Sequence, residues 1–218
     1  MEILYCDNKI IVCVKPGGAV STDEPGGVPS LLRIALGEES APIYTVHRLD
    51  AAVGGVMVYA RTRHAASDLG KAVESGAMDK TYLAVLRGVP QEKAGTLRDL
   101  LRRDTRRGMT FVVTEPGKDV REAALEYQIL AERDGLSLAR IHLLTGRTHQ
   151  IRCQFSSRGL PLWGDRKYGL PGESGPIALW SCSLGFAHPL TGEAMSFQKT
   201  PPEREPWTFF KEEIWRQN

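Results

Sequence analysis

Within Tyr44–Thr62 two apolar runs are separated by a charged insert, His47-Arg48-Leu49-Asp50. The second run, Gly55–Ala60, has no polar side chain other than the Tyr59 hydroxyl and reads as a strand buried on both faces. A carboxylate beside such a strand is costly unless it is paired, so Asp50 either caps a turn or does chemistry. The chemistry open to it is nucleophilic, and it requires the ionised form. Other groups do not assemble into a second constellation. The four cysteines (Cys6, Cys13, Cys153, Cys182) lack C-x-x-C spacing, and His142, His149 and His188 lack ligand spacing, so no metal is expected. Gly17-Gly18 and Gly54-Gly55 are isolated pairs without a Walker or dinucleotide fingerprint, and no cofactor is expected.

Several elements must position Asp50. Ile3-Leu4-Tyr5 and Ile10–Val14 read as short strands joined at Asp7-Asn8, the second ending at Lys15-Pro16-Gly17-Gly18. Ser30 is read as the cap of a short helix, Leu31–Leu36, stopped by Gly37. Thr62 is read as the N-cap of a helix to about Ser75, with Ala65, Ala66, Leu69, Ala72 and Val73 on its apolar stripe. Lys80–Leu86 alternates as a strand, in which Tyr82 taken alone is more often core than catalyst. Leu97–Arg107 is a basic cluster of Arg98, Arg102, Arg103, Arg106 and Arg107, interrupted by Asp99 and Asp104. Strands are expected over Thr110–Thr114, Ala124–Ala131, Leu136–Leu143, Ile177–Ser183 and Ala194–Gln198. A helix is expected over Arg147–Ser157, with Ile151 and Phe155 on its stripe and Arg147, Gln150, Gln154 and Arg158 on a polar face. Arg152 borders the stripe and can reach inward. A last helix is expected over Thr208–Arg216. Many strands, few helices and short links predict an α+β fold, a mixed, mostly antiparallel central sheet flanked by helices, in one domain over residues 1–218.

Composition fits this reading: 42% hydrophobic and 25% charged residues are usual for a folded chain. A net charge of +2 leaves attraction to nucleic acid to local clustering. No run reaches the ~18 apolar residues of a membrane span, and Met1-Glu2-Ile3-Leu4 does not open a secretory signal. Cys6 and Cys13 look like buried free thiols of a reducing compartment, so the expected location is cytoplasmic.

The ordered motifs resemble the RluA-type RNA pseudouridine synthases. The resemblance opens at Ile3–Asn8 and Val14–Gly18, centres on His47-Arg48-Leu49-Asp50 with Gly55 and Tyr59–Thr62, and continues through Lys80–Ala84. Thr145-Gly146-Arg147-Thr148-His149-Gln150-Ile151-Arg152, Gly164–Gly169 and Leu184–Pro189 complete it. It covers nearly the whole chain, and the chain is similar to a compact member without the small N-terminal RNA-binding domain.

The resemblance implies isomerisation of a uridine within tRNA or ribosomal RNA: the bond from base to ribose breaks, the base rotates, and the ribose is rejoined at carbon 5. It implies no cofactor, no metal, RNA as the partner, no membrane, and a monomer without an obligatory protein partner. By the same likeness Asp50 is the catalytic aspartate, Tyr82 stacks on the flipped uracil, and Arg152 pairs with the aspartate. A guanidinium so placed favours the carboxylate by ~1–3 pKa units. Arg48 is the wedge that fills the gap left by the flipped base. His47 orients the loop or simply packs. Arg147 and Gln150 face RNA phosphates, and the arginines of Leu97–Arg107 suit phosphate contact or form a solvated face. One departure stands beside the site: Val53-Gly54-Gly55 occupies the place of the family's usual Thr-Ser-Gly. The alternative reading is a catalytically inactive RNA-binding relative.

Overall fold

The computed structural model describes residues 1–216. In chain order its elements are β1 (Glu2–Cys6), β2 (Ile10–Lys15), α1 (Val28–Leu36), β3 (Tyr44–Thr45), β4 (Gly54–Ala60), α2 (Arg63–Glu74), β5 (Asp79–Arg87) and β6 (Ala94–Asp104). There follow β7 (Met109–Val113), β8 (Val120–Arg133), β9 (Leu136–Leu143), α3 (Gln150–Ser156), β10 (Leu179–Ala187), β11 (Ala194–Gln198), a 3-10 turn (Trp207–Phe210) and α4 (Lys211–Trp215). The β-structure is mixed and mostly antiparallel, with helices beside it, as the patterning predicts. The packing divides into two units, Met1–Lys80 with Trp180–Lys199, and Thr81–Leu179 with the chain from Thr200 onward.

In the first unit β2 and β4 pair antiparallel from Ile10↔Ala60 to Lys15↔Gly55, and every residue of both strands is buried. That burial on two faces explains why Gly54–Ala60 shows no polar alternation. β1 extends this sheet along β2, and β10 joins the other edge of β4 in the one parallel pairing among the described strands of this unit. β11 then closes on β10. Val12, Val56, Val58, Leu184 and Phe186 form the core together with Ala65 and Leu69 of α2. The α2 start is as read: the Thr62 hydroxyl accepts from Ala65 N–H at 3.2 Å. α1, in contrast, begins at Val28, behind Gly27 and with Pro29 in its first turn, so Ser30 is not its cap.

The second unit is an antiparallel run β5–β9–β8–β6–β7. The basic cluster lies on β6 and its turn. Leu97 and Leu101 face inward while Arg98, Arg102 and Arg103 are exposed. Inward-facing Asp99 hides the alternation in the sequence; Gln154 and Arg158 donate to it at 2.6 and 3.0 Å. α3 starts at Gln150 rather than Arg147, because His149 before it takes a left-handed φ of 54°. Gln150 and Gln154, expected on a polar face, are buried: α3 is short and enclosed on both sides. Cys13 is buried as expected, but Cys6 is exposed at the end of the edge strand β1.

Candidate active site

The charged insert leaves and re-enters the edge of β4. Along that edge β3 pairs with Tyr59 and Ala60, and β10 pairs with Gly54 and Gly55. Between these two partners the backbone of β4 has no strand to bond among the described residues. Side chains fill the interval: His47 Nε2 accepts from Val58 N–H at 3.1 Å, and Ser181 Oγ donates to Val56 O at 3.1 Å. Burial and the nearby Lys80 charge pull the His47 imidazole down to about 4. It is therefore neutral near pH 7, with Nε2 as acceptor, and it stitches the loop to the strand without titrating.

Asp50 begins a tight turn closed by Val53 N–H donating to its carbonyl at 2.9 Å. Three sets of backbone contacts fix this turn. Ser21 Oγ donates to Leu49 O at 2.9 Å and accepts from Leu49 N–H at 3.1 Å, holding the residue before Asp50 at both of its polar groups. Gly18 N–H donates to Ala51 O at 2.7 Å. The ammonium of Lys15, wholly buried, donates to Pro16, Ala51 and Val53 carbonyls at 3.1, 3.0 and 2.7 Å. All three of its hydrogens are thereby used, which meets the condition for burying a cation. Burial lowers the Lys15 pKa to about 8, against the pull of the Asp50 charge that raises it, so the ammonium stays protonated at neutral pH. The Lys15–Gly18 segment, read from sequence as a strand end, is thus the cradle of the turn. Gly17 suits the role, since a Cβ there would stand 3.0 Å from Ala52 O. Arg48 is exposed beside these fixed groups.

Tyr82 and Arg152 belong to the second unit. Tyr82 sits on β5 opposite Ile141 of β9 and is 6% exposed. Arg152 is on α3 and is buried; its Nε and Nη2 donate to the two carboxylate oxygens of Asp165, each at 2.7 Å. This bidentate pairing orients a planar guanidinium better than a single contact would. Burial pushes the Asp165 carboxyl up. The hydrogen bonds and charge of Arg152, with the Lys167 and Tyr168 amides, outweigh that and hold it below the ordinary aspartate range. The Arg152 guanidinium also lies 5.1 Å from the centre of the Tyr168 ring.

Gln150 and Arg147 are brought together, but for bracing. The Gln150 amide accepts from Thr145 Oγ1 and Arg147 N–H and donates to Ala124 O, at 2.7, 3.0 and 3.0 Å. Its side chain is spent inside the fold, so it is not aimed at phosphates as the sequence reading had it. Arg147 is exposed, with Nε anchored on Glu122 O at 2.9 Å. Asp104 accepts from the Arg106 and Arg107 amides and so shapes the β6–β7 turn. All five arginines of the cluster are exposed.

Lys15, Ser21 and Asp165 went unassigned in the sequence. Lys15 looked like the end of a strand, and Ser21 like loop chemistry. Asp165 lay in a recognised block, and the only signal for its role was an aspartate in a stretch otherwise rich in glycine and cations. Among the described residues no group of three His, Cys, Asp or Glu side chains forms a metal-binding cluster, and no helix is long and apolar enough to cross a membrane.

A family model described as RNA pseudouridylate synthase matches residues 9–157. An uncharacterized RNA pseudouridine synthase of Aquifex aeolicus is 34% identical over 226 residues, spanning 93% of this chain and 70% of that protein. The uncharacterized RNA pseudouridine synthase YjbO of Bacillus subtilis is 33% identical over 210 residues, spanning 93% and 73%. Among solved structures, Human RNA Pseudouridylate Synthase Domain Containing 4 is similar with a TM-score of 0.77 at 23% identity, over 99% of this chain and 92% of its own. At that identity the likeness speaks for the fold.

Proposed function

Because the chain belongs to the RNA pseudouridine synthase family, we propose that it isomerises particular uridines of tRNA or ribosomal RNA, with Asp50 as the nucleophile. The bond from the base to the ribose breaks, the base turns over, the ribose is rejoined at carbon 5, the proton of that carbon is lost to solvent, and the ring nitrogen freed from the ribose takes one up. The observation that carries this reading is the Asp50 turn itself. A buried ammonium with all three hydrogens on backbone carbonyls, and a serine bonded to both polar groups of Leu49, hold one short turn. Such preorganisation suits a side chain that must meet a reacting atom in one geometry.

Tyr82 is the wall on which the flipped uracil stacks, and Arg152 is the cation that keeps the Asp50 carboxylate ionised. Arg48 is the wedge that occupies the place of the flipped base, which costs a few kcal/mol to extrude. Arg147 and the β6–β7 arginines bind the RNA backbone. The protein acts in the cytoplasm as a monomer.

The test is tritium release from RNA labelled at carbon 5 of uridine, prepared from cells lacking the protein. The native protein releases tritium, and Asp50→Ala releases none above background while still binding the RNA. Binding by the native protein without release on any such RNA would instead make it an inactive RNA-binding relative.

A further inference from the structure

The two consecutive glycines beside the Asp50 turn pose a physical problem. Glycine costs roughly 0.5–1 kcal/mol of extra conformational entropy in a strand, and a pair of them next to a reacting carboxylate would act as a hinge. Gly55 is explained by its backbone, whose φ is 125°, and by the Ser181 backbone, which stands where its Cβ would be. Gly54 has no such backbone requirement. What excludes a side chain there is Trp180, its partner in the parallel pairing of β4 and β10. A Cβ on Gly54 would lie 2.5 Å from Cζ3 and 3.1 Å from Cε3 of the indole, and 3.0 Å from Lys15 O. The ring is itself fixed: it is 8% exposed, and its Nε1 donates to Lys199 O at 2.8 Å.

We propose that Trp180 is a positioning residue for catalysis, its indole occupying the side-chain space of Gly54 and locking the Val53–Gly54 peptide from which the Asp50 turn is held. The arrangement works as a clamp. Lys15 holds Val53 O by its ammonium and approaches Gly54 with its own carbonyl, and the indole covers the Gly54 α-carbon. Val53 N–H in turn closes the turn on the Asp50 carbonyl. A rigid aromatic ring thus supplies from β10 the restraint that two glycines withhold from β4. The proposal rests on the reading of Asp50 as the nucleophile for its kinetic consequence, but not for its structural one.

Two measurements test it. By hydrogen exchange, the Val53 amide of Trp180→Leu exchanges at least about tenfold faster than in the native protein, while amides of α2 are unchanged. Equal exchange at Val53 would overturn the proposal whether or not the protein is an enzyme. In single-turnover tritium release with 5-labelled RNA, Trp180→Leu slows by about 10- to 100-fold, the range that a displacement of about 1 Å at a reacting group produces. Affinity for the same RNA stays within about twofold. Trp180→Phe, which keeps a ring over Gly54, retains the rate within about threefold. Gly54→Ala costs at least about tenfold in the native background and distinctly less in Trp180→Leu, where the 2.5 Å clash with the ring is gone and only the 3.0 Å approach to Lys15 O remains. Loss of affinity in step with rate, or additive losses in that cycle, would overturn the proposal. Absence of tritium release from the native protein would refute the proposed function instead, leaving the exchange result to decide the clamp.

Discussion

At the scale of single residues, the proposed nucleophile Asp50 stands out in the sequence, and the groups that hold its turn do not. Asp50 stood out because a charge interrupts apolar sequence, and that interruption is a local signal. Lys15 and Ser21 act on backbone groups more than 25 positions away, so nothing near them in sequence announces the use. His47 shows the same limit: its neighbours in the sequence do not reveal that it replaces a missing strand at Val58 N–H. Its environment yields a prediction with a definite sign. The folded pKa is about 4 against an ordinary 6.5, so the unfolded chain binds the proton more readily. The stability contributed by a neutral His47 is complete above pH 6.5 and is lost as pH falls from there toward 4. The loss should be on the order of 1–3 kcal/mol, less than the full shift would give because the side chain is only half-buried. His47→Gln keeps an acceptor for Val58 without titrating. Urea denaturation at pH 7 and pH 4.5 should show a smaller loss of stability for this variant than for the native protein. Equal losses would show that His47 is not the group that carries the acid sensitivity.

At the scale of elements, helices and strands with plain apolar periodicity were read nearly to the residue, β9 and β11 among them. The failures share a cause. β6 carries Arg or Asp at five of its positions, and one inward position is Asp99, so tertiary pairing with Gln154 and Arg158 supplies what an apolar side chain would have signalled. α3 was drawn too long because a left-handed residue at its start cannot be seen in a periodicity. The corrected picture changes the balance of the basic cluster. Asp99 is engaged by Arg158, and Asp104 caps the turn and lies 3.7 Å from Arg107, so two aspartates face five exposed arginines. Replacing Arg98, Arg102, Arg103, Arg106 and Arg107 with Ala should weaken RNA binding most at low salt. At ~0.7 per contact on a single strand, the slope of log affinity against log salt should flatten by up to about 3.5. The melting temperature should change little, since these side chains are exposed. An unchanged slope would mean that this hairpin is a solvated face.

At the scale of the whole molecule, the mostly antiparallel α+β class followed from counting strands and link lengths. What composition could not show is that the first unit is discontinuous, built from Met1–Lys80 and from Trp180–Lys199. Between the two segments the chain makes nearly all of the second unit. That ordering has a consequence for synthesis on the ribosome. When Lys80 has emerged, the Asp50 turn already has Lys15 and Ser21, but one edge of β4 still lacks its partner and Gly54 its covering ring. An isolated Met1–Lys80 fragment should therefore be cleaved by protease within the Asp50–Gly55 segment, where the full chain resists. Resistance of the fragment at that segment would show that the first eighty residues fold alone. At roughly 5–20 residues per second, the interval before β10 arrives amounts to several seconds in which the Asp50 turn exists without its final restraint. The Asp50 turn is thus completed only by a strand that follows about a hundred residues later, after nearly all of an inserted unit.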